Sequence, residues 1–255
     1  MKRIFTGVLL SLLIFLLPIV SFAKGEVKAP LLVTKAGHWF VQLGVGVGWP
    51  LKPDKVKVTT QASIPADLYR PKSSNTELLG TVGFGYSYGI FQKWLNRISL
   101  AVNYTVGLFG ETKGDVFSYG LPAYLEYKYR YKMIHHTIMA DLKFDFLGSA
   151  ISPYLLAGAG VSINNANGYK ERALPRVNIP RFSLAFASRT VASFAYQFGA
   201  GLDWRANQHW IFSLGYLFTD AGKVELGVGK IRPGVKGPDQ YLRLNSVLFS
   251  CSYQI

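Results

Sequence analysis

Acidic residues are scarce in this chain: 14 Asp and Glu stand against 28 Lys and Arg, a formal net charge of +14. Sulfur is scarcer still. A single cysteine, Cys251, excludes an intramolecular disulfide framework and any multi-thiolate metal site, and it reads as a small lipid-facing residue on a terminal strand. Beyond the first two dozen residues there is no uncharged apolar stretch of the ~18 to 20 residues that a spanning helix needs, so helical membrane spans are excluded. Yet 49% of the chain is hydrophobic. The other structure that satisfies every backbone donor and acceptor inside a bilayer is a closed β-barrel, whose hydrophobicity lies in alternation and not in runs.

At the amino terminus Lys2 and Arg3 precede the apolar run Ile4 to Val20, and Ser21-Phe22-Ala23 places small residues where a signal peptidase reads. Residues 1–23 are therefore expected to be a cleaved secretory signal, residues 24–38 a periplasmic segment and residues 39–255 the barrel. Loss of Lys2 and Arg3 takes the formal charge from +14 to +12.

Period-two alternation, the mark of a half-buried strand, recurs down the chain. Trp39, Val41, Leu43, Val45, Val47 and Trp49 form an apolar face against Phe40, Gln42, Gly44, Gly46 and Gly48. Its length is close to the ~9 to 11 residues of a tilted membrane strand, and Trp at both ends suits two interfacial girdles. Leu78 to Tyr88 gives a second strand, Arg97 to Leu108 a third, Tyr154 to Ile163 a fifth, Ser193 to Trp204 a sixth, Trp210 to Thr219 a seventh and Val247 to Ile255 an eighth. The fourth, Leu125 to Phe146, changes apolar phase from Tyr127, Tyr129, Tyr131 and Met133 to Ile138, Ala140, Leu142, Phe144 and Phe146. A β-bulge near Met133 to His136 would shift the face; two strands joined there would need turn residues that are absent. One long bulged strand is the preferred reading. Long connections at Pro50–Thr76, Gly110–Tyr124, Asn164–Val191 and Asp220–Gln240 alternate with short ones, as an outer-membrane barrel requires. The fold class predicted is all-β: an eight-stranded antiparallel up-and-down transmembrane barrel.

Motifs with chemical meaning are few. The pairs Gly44/Gly46, Gly83/Gly85, Gly158/Gly160 and Gly199/Gly201 lie inside alternating strands, so they make room in a narrow lumen and are not nucleotide loops. The candidates for chemistry are His135, His136, Asp141 and Asp145; His135, Asp141 and Asp145 share one face of the fourth strand, but at ~3.3 Å per residue His135 and Asp141 stand about 20 Å apart and form no compact triad. Neither catalytic, cofactor-binding nor metal-ligating residues are assigned, and no cofactor is expected. Arg97, Glu126, Asp141, Lys143, Asp145, Gln197 and Asp203 are expected as paired networks in the lumen, since buried charge must be paired. Cations crowd the outer loops: Lys52, Lys55, Lys57, Arg70 and Lys72 in the first, Lys170, Arg172, Arg176, Arg181 and Arg189 in the third, and Lys223, Lys230, Arg232 and Lys236 in the fourth.

The opening Trp39-Phe40-Val41-Gln42-Leu43-Gly44-Val45-Gly46, the run Pro153-Tyr154-Leu155-Leu156-Ala157-Gly158-Ala159-Gly160 and the terminal Ser252-Tyr253-Gln254-Ile255 resemble the OmpA-like and opacity-type small outer-membrane barrels. These motifs are architectural. The resemblance implies residence in the cell outer membrane and handling by the barrel-assembly machinery. The lack of a compact polar cluster and the charge of the outer loops point to a non-enzymatic structural or surface role in which basic loops meet lipopolysaccharide, an acidic glycan or a host-surface ligand, with no nucleic acid as partner. A narrow pore for small or apolar solutes is the alternative, and a lipid-modifying enzyme a third.

Overall fold

The computed structural model describes residues 37–60, 65–90, 94–175, 177 and 184–255, all within the unit Thr34–Ile255. The expected signal peptide and nearly all of the segment 24–38 lie outside the described residues.

Ten strands are formed by the described residues: β1 His38–Pro50, β2 Val56–Val58, β3 Asp67–Ser74, β4 Glu77–Gly89, β5 Leu95–Phe117, β6 Leu125–Phe146, β7 Ile151–Ala173, β8 Arg189–Arg205, β9 Trp210–Glu225 and β10 Asp239–Gln254. Eight of them close a ring in the order β1-β4-β5-β6-β7-β8-β9-β10, every pair antiparallel. Closure comes from β1 against β10, paired from Phe40–Gln254 to Pro50–Leu244. The ring leaves no sheet edge, so each strand finds partners on both sides without water. No α-helix is present among the described residues, and none is long and apolar enough to cross a membrane.

Each membrane strand sends alternate residues to lipid. Leu43, Val45, Val82, Leu100, Val102, Ile138, Leu155, Val161, Phe198, Leu214 and Phe249 are exposed on the outer surface. Aromatic rings crowd the rim where the chain ends lie: Trp39 stacks on Phe84 at 5.1 Å, Trp94 on Phe146 at 6.3 Å, and Trp210 meets Tyr253 edge-on at 4.9 Å. The short turns share this rim, which makes it the periplasmic one. Cys251 lies half-buried on the outer surface of β10, as the sequence suggested.

The expected strands are all present, but the wall is taller than alternation indicated. β5 and β7 run 23 residues and β6 runs 22, so most of the supposed loop Gly110–Tyr124, and the start of Asn164–Val191, is strand. The first loop folds back as the β2–β3 hairpin, and β3 pairs with the upper part of β5 directly above β4. The expected bulge in the fourth strand is also corrected. β6 keeps one phase throughout, with Tyr127, Tyr129, Tyr131, Met133, His135, Thr137, Met139, Asp141 and Asp145 all buried inside. The register shifts lie in its neighbours: opposite His135 and Met133, β5 inserts an extra residue between Gly107 and Gly110, and opposite Arg130 and Lys132, β7 inserts one between Asn167 and Lys170. Phe109 and Gly168 carry the positive φ of these bulges, 65° and 64°. The reading failed because apolar residues face outward only where lipid surrounds the wall; above the bilayer the apolar face turns inward.

Candidate functional site

The lumen is filled in three layers. Nearest the periplasm, Arg97 donates from Nε to Asp145 and from Nη2 to Asp203 at 3.1 Å, while Lys143 Nζ reaches both Asp203 oxygens at 2.8 and 2.7 Å and lies 4.2 Å from the centre of the Tyr154 ring. Arg97, Asp145 and Asp203 are all buried, and the pairing lets them remain charged away from bulk water. Above them the Asp141 carboxylate accepts from Asn103 Nδ2 and Gln197 Nε2, each at 2.6 Å. A Cβ on Gly158 would stand 1.8 Å from Asp141 Oδ1, so glycine is what lets this carboxylate sit there. The cavity at this level, bounded by Gln42, Thr81, Ser99, Lys143 and Ser250 among others, measures about 60 Å³, room for a few waters.

Higher again, His135 Nδ1 and Glu77 Oε2 stand 3.2 Å apart, both buried. They lie beneath an apolar core at the mouth, formed by Tyr69, Val116, Tyr127, Tyr129, Tyr131 and Met133 from the wall, Val224, Leu226, Leu242 and Leu244 from the far side, and Leu184 and Phe186 inserted from the third loop. Phe186 meets Tyr169 at 4.9 Å, and backbone hydrogen bonds from Ala187 N to Val228 O and Gly227 N to Ala187 O tie the third loop to the fourth. The described residues of the third loop thus cover the mouth. Burial pushes the Tyr129 and Tyr131 hydroxyls above their ordinary pKa.

The residues weighed for catalysis are not brought together. His135 meets Glu77, Asp141 meets two amides, Asp145 meets Arg97, and His136 points outward with its Nδ1 2.6 Å from Tyr104 Oη. Of the expected lumen network, Glu126 is the departure: it accepts from Ser118 Oγ at 2.6 Å beside the turn Ser118–Gly120 at the outer end of the wall. Among the described residues no group of His, Cys, Asp and Glu has the spacing of a metal site.

On the outside of the tall wall, directly above the apolar band, stand Lys113 on β5, Lys128, Arg130 and Lys132 on β6, and Lys170 and Arg172 on β7, all exposed. Lys113 pairs in register with Arg130 and Arg130 with Lys170; Lys128 pairs with Arg172. Two carboxylates face this group: Glu111 meets Lys113 at 2.8 Å and Arg130 at 3.8 Å, and Asp115, in register opposite Lys128, meets Lys72 at 2.5 Å. The hydrogen bond from Lys113, with the fields of Lys113, Arg130 and Lys132, holds Glu111 below the usual carboxylate range against the opposing effect of burial. Elsewhere on the rim Arg243 is matched with Asp220 at 2.9 Å, Lys223 with Asp239 at 2.9 Å and Arg189 with Glu225 at 3.4 Å. The sequence reading had Lys170 and Arg172 in a loop and did not single out Lys113, Lys128, Arg130 or Lys132. The signal was present as charge at period two between the buried tyrosines of β6.

A closed antiparallel ring, an apolar lipid face with an aromatic rim and a polar lumen define an integral β-barrel of the outer membrane. The barrel is similar to the solved structures of Neisserial surface protein A (14% identity, 86% of this chain and 99% of that chain covered, TM-score 0.46) and of the outer membrane protein OprG from Pseudomonas aeruginosa (16%, 87% and 97%, 0.45). It is also similar to the N-terminal β-barrel domain of Pseudomonas aeruginosa OprF (10%, 86% and 100%, 0.38). These likenesses concern overall form and say nothing of ligands. No family model matches the chain, and no curated protein matches it in sequence.

Proposed function

We propose that this barrel is non-enzymatic and serves at the cell surface, in a structural or interaction role in which its basic outer part contacts lipopolysaccharide or another anionic external partner. The supporting observation is the filling of the lumen from both ends, by the Arg97–Asp145–Asp203–Lys143 network below and by the apolar core around Tyr129, Leu184 and Phe186 above. Such an interior offers little to a solute, while the exterior and rim carry the excess positive charge, and net charge of one sign draws opposite charge. The same filling speaks against the pore.

The test pairs two measurements on purified, refolded protein. Planar-bilayer recordings are expected to show no steps above the lipid background, and binding of labelled lipopolysaccharide is expected to weaken as salt is raised. Steady conductance without lipopolysaccharide binding would replace this reading with the pore.

A further inference from the structure

The outward cations of β5, β6 and β7 are set there by the two bulges. Up to Gly107 the odd-numbered residues of β5 face the lumen; the extra residue at Phe109 reverses the phase, so that Thr112 and Val116 turn inward and Lys113 outward. The bulge at Gly168 does the same on β7, turning Tyr169 in and Lys170 out. Unbulged β6 lies between them and already presents Arg130. The outcome is a row Lys113–Arg130–Lys170 across three neighbouring strands, at a strand spacing of ~4.8 Å. Like charges directly opposite one another oppose sheet stability. Among the described residues, no carboxylate lies within ion-pair distance of Lys128, Lys132, Lys170 or Arg172, while Arg189, Lys223 and Arg243 elsewhere on the rim have such partners. Below the row Phe109 and Ile163 are exposed and Ile134 half-exposed, with Asn165, Asn167 and His136 interspersed on the same face.

We infer that this wall is a binding site for the phosphorylated headgroup of an outer-leaflet glycolipid, with phosphates held by Lys113, Arg130 and Lys170 and acyl chains lying against Phe109, Ile134 and Ile163. A membrane lipid fits better than a free phosphate because the cations adjoin the lipid-facing band, at the height where outer-leaflet headgroups lie. Arg130 can meet a phosphate through two parallel N–H groups, with Lys113 and Lys170 as point charges on either side. Lys128, Lys132 and Arg172 add charge within one residue pair of the row. The inference rests on the surface reading above and narrows it from a basic exterior to one face of the barrel.

The experiment measures binding of a bisphosphorylated lipid A to the full barrel in zwitterionic detergent, by native mass spectrometry. Four proteins are compared: wild type, Glu111→Gln, the row variant Lys113→Gln/Arg130→Gln/Lys170→Gln, and the rim variant Lys230→Gln/Arg232→Gln/Lys236→Gln, which removes equal charge from the exposed fourth loop. A heat-dependent gel shift shows that each is folded. The row variant is expected to lose about a hundredfold in affinity and the rim variant less than about threefold. Glu111→Gln, which removes the carboxylate that meets Lys113 and Arg130, is expected to bind more tightly than wild type. Equal loss in both triple variants, or loss in the rim variant alone, overturns the lateral site and leaves the surface reading standing. Wild type that binds no lipid A overturns the site and the lipopolysaccharide contact together. Displacement of lipid A by equimolar inorganic phosphate overturns the lipid as the source.

Discussion

Single residues decide how this barrel keeps charge inside. Arg97 is shared between Asp145 and Asp203, both buried, so Arg97→Ala leaves the two carboxylates with Lys143 as their remaining ion-pair partner. Loss of one partner from a buried ionic group costs about 3–5 kcal/mol, and urea unfolding in lipid vesicles should show a decrease of that order. Gly168 is a different case. Its φ is +64° and a Cβ would touch nothing, so Gly168→Ala should cost only the left-handed backbone, about 1–2 kcal/mol in the same assay, with no clash added. Glu111 gives the pH prediction. Its carboxyl is held low by its cationic neighbours, so its stabilising contribution is complete above the ordinary carboxylate range and is lost as pH falls through the lower folded value. Wild type should therefore be more stable than Glu111→Gln at neutral pH, and the two should converge in acid, as unfolding midpoints measured from pH 7 down to pH 3 would reveal.

Elements were legible where lipid enforced the alternation and illegible where it did not. The faces of β1, β4, β8 and the lower part of β5 are those that the sequence predicts, because a bilayer admits only apolar side chains on one side. The upper halves of β5, β6 and β7 break that rule for a physical reason: outside the bilayer water takes the outer face and an apolar core takes the inner one. Tyr127, Tyr129 and Tyr131 thus looked like a lipid face and are instead the wall of the mouth. Sequence alternation alone could not locate the bulges either, since each lies in a strand adjacent to the one whose phase seemed to change. The Arg97–Asp145–Asp203 network was anticipated from charge and strand face; the Glu77–His135 pair was not, because it joins two strands that are not neighbours in the ring. The mouth also has its own test. Phe186→Ala removes a buried ring from the plug, with a cost of about 3–5 kcal/mol, yet planar-bilayer recordings should remain silent because the ionic layer below is untouched.

At the scale of the whole molecule, the wall is uneven in height. β1 and β4 have 13 residues each, whereas β5, β6 and β7 have 22 or 23. The tall sector carries the Lys113–Arg130–Lys170 row outside and most of the aromatic core inside, so the water-exposed part of the protein is built chiefly on three consecutive strands. Intact outer-membrane fractions should contain the chain in a form that resists SDS until boiled, as a closed ring of hydrogen-bonded strands would.

The seam between β1 and β10 sets an order of events in time. It joins Phe40 to Gln254, the two ends of the barrel chain, while β5, β6 and β7 pair with immediate neighbours in sequence. Closing a long loop costs entropy before any contact rewards it, so the tall hairpins should assemble early and the seam last. Substitutions that weaken the β5–β6 pairing should then slow insertion into vesicles, and those at the seam, such as Val45→Ala, should mainly hasten unfolding. A barrel made this way stays open along one line until its final step, and that line is where an assembly partner would have to hold it.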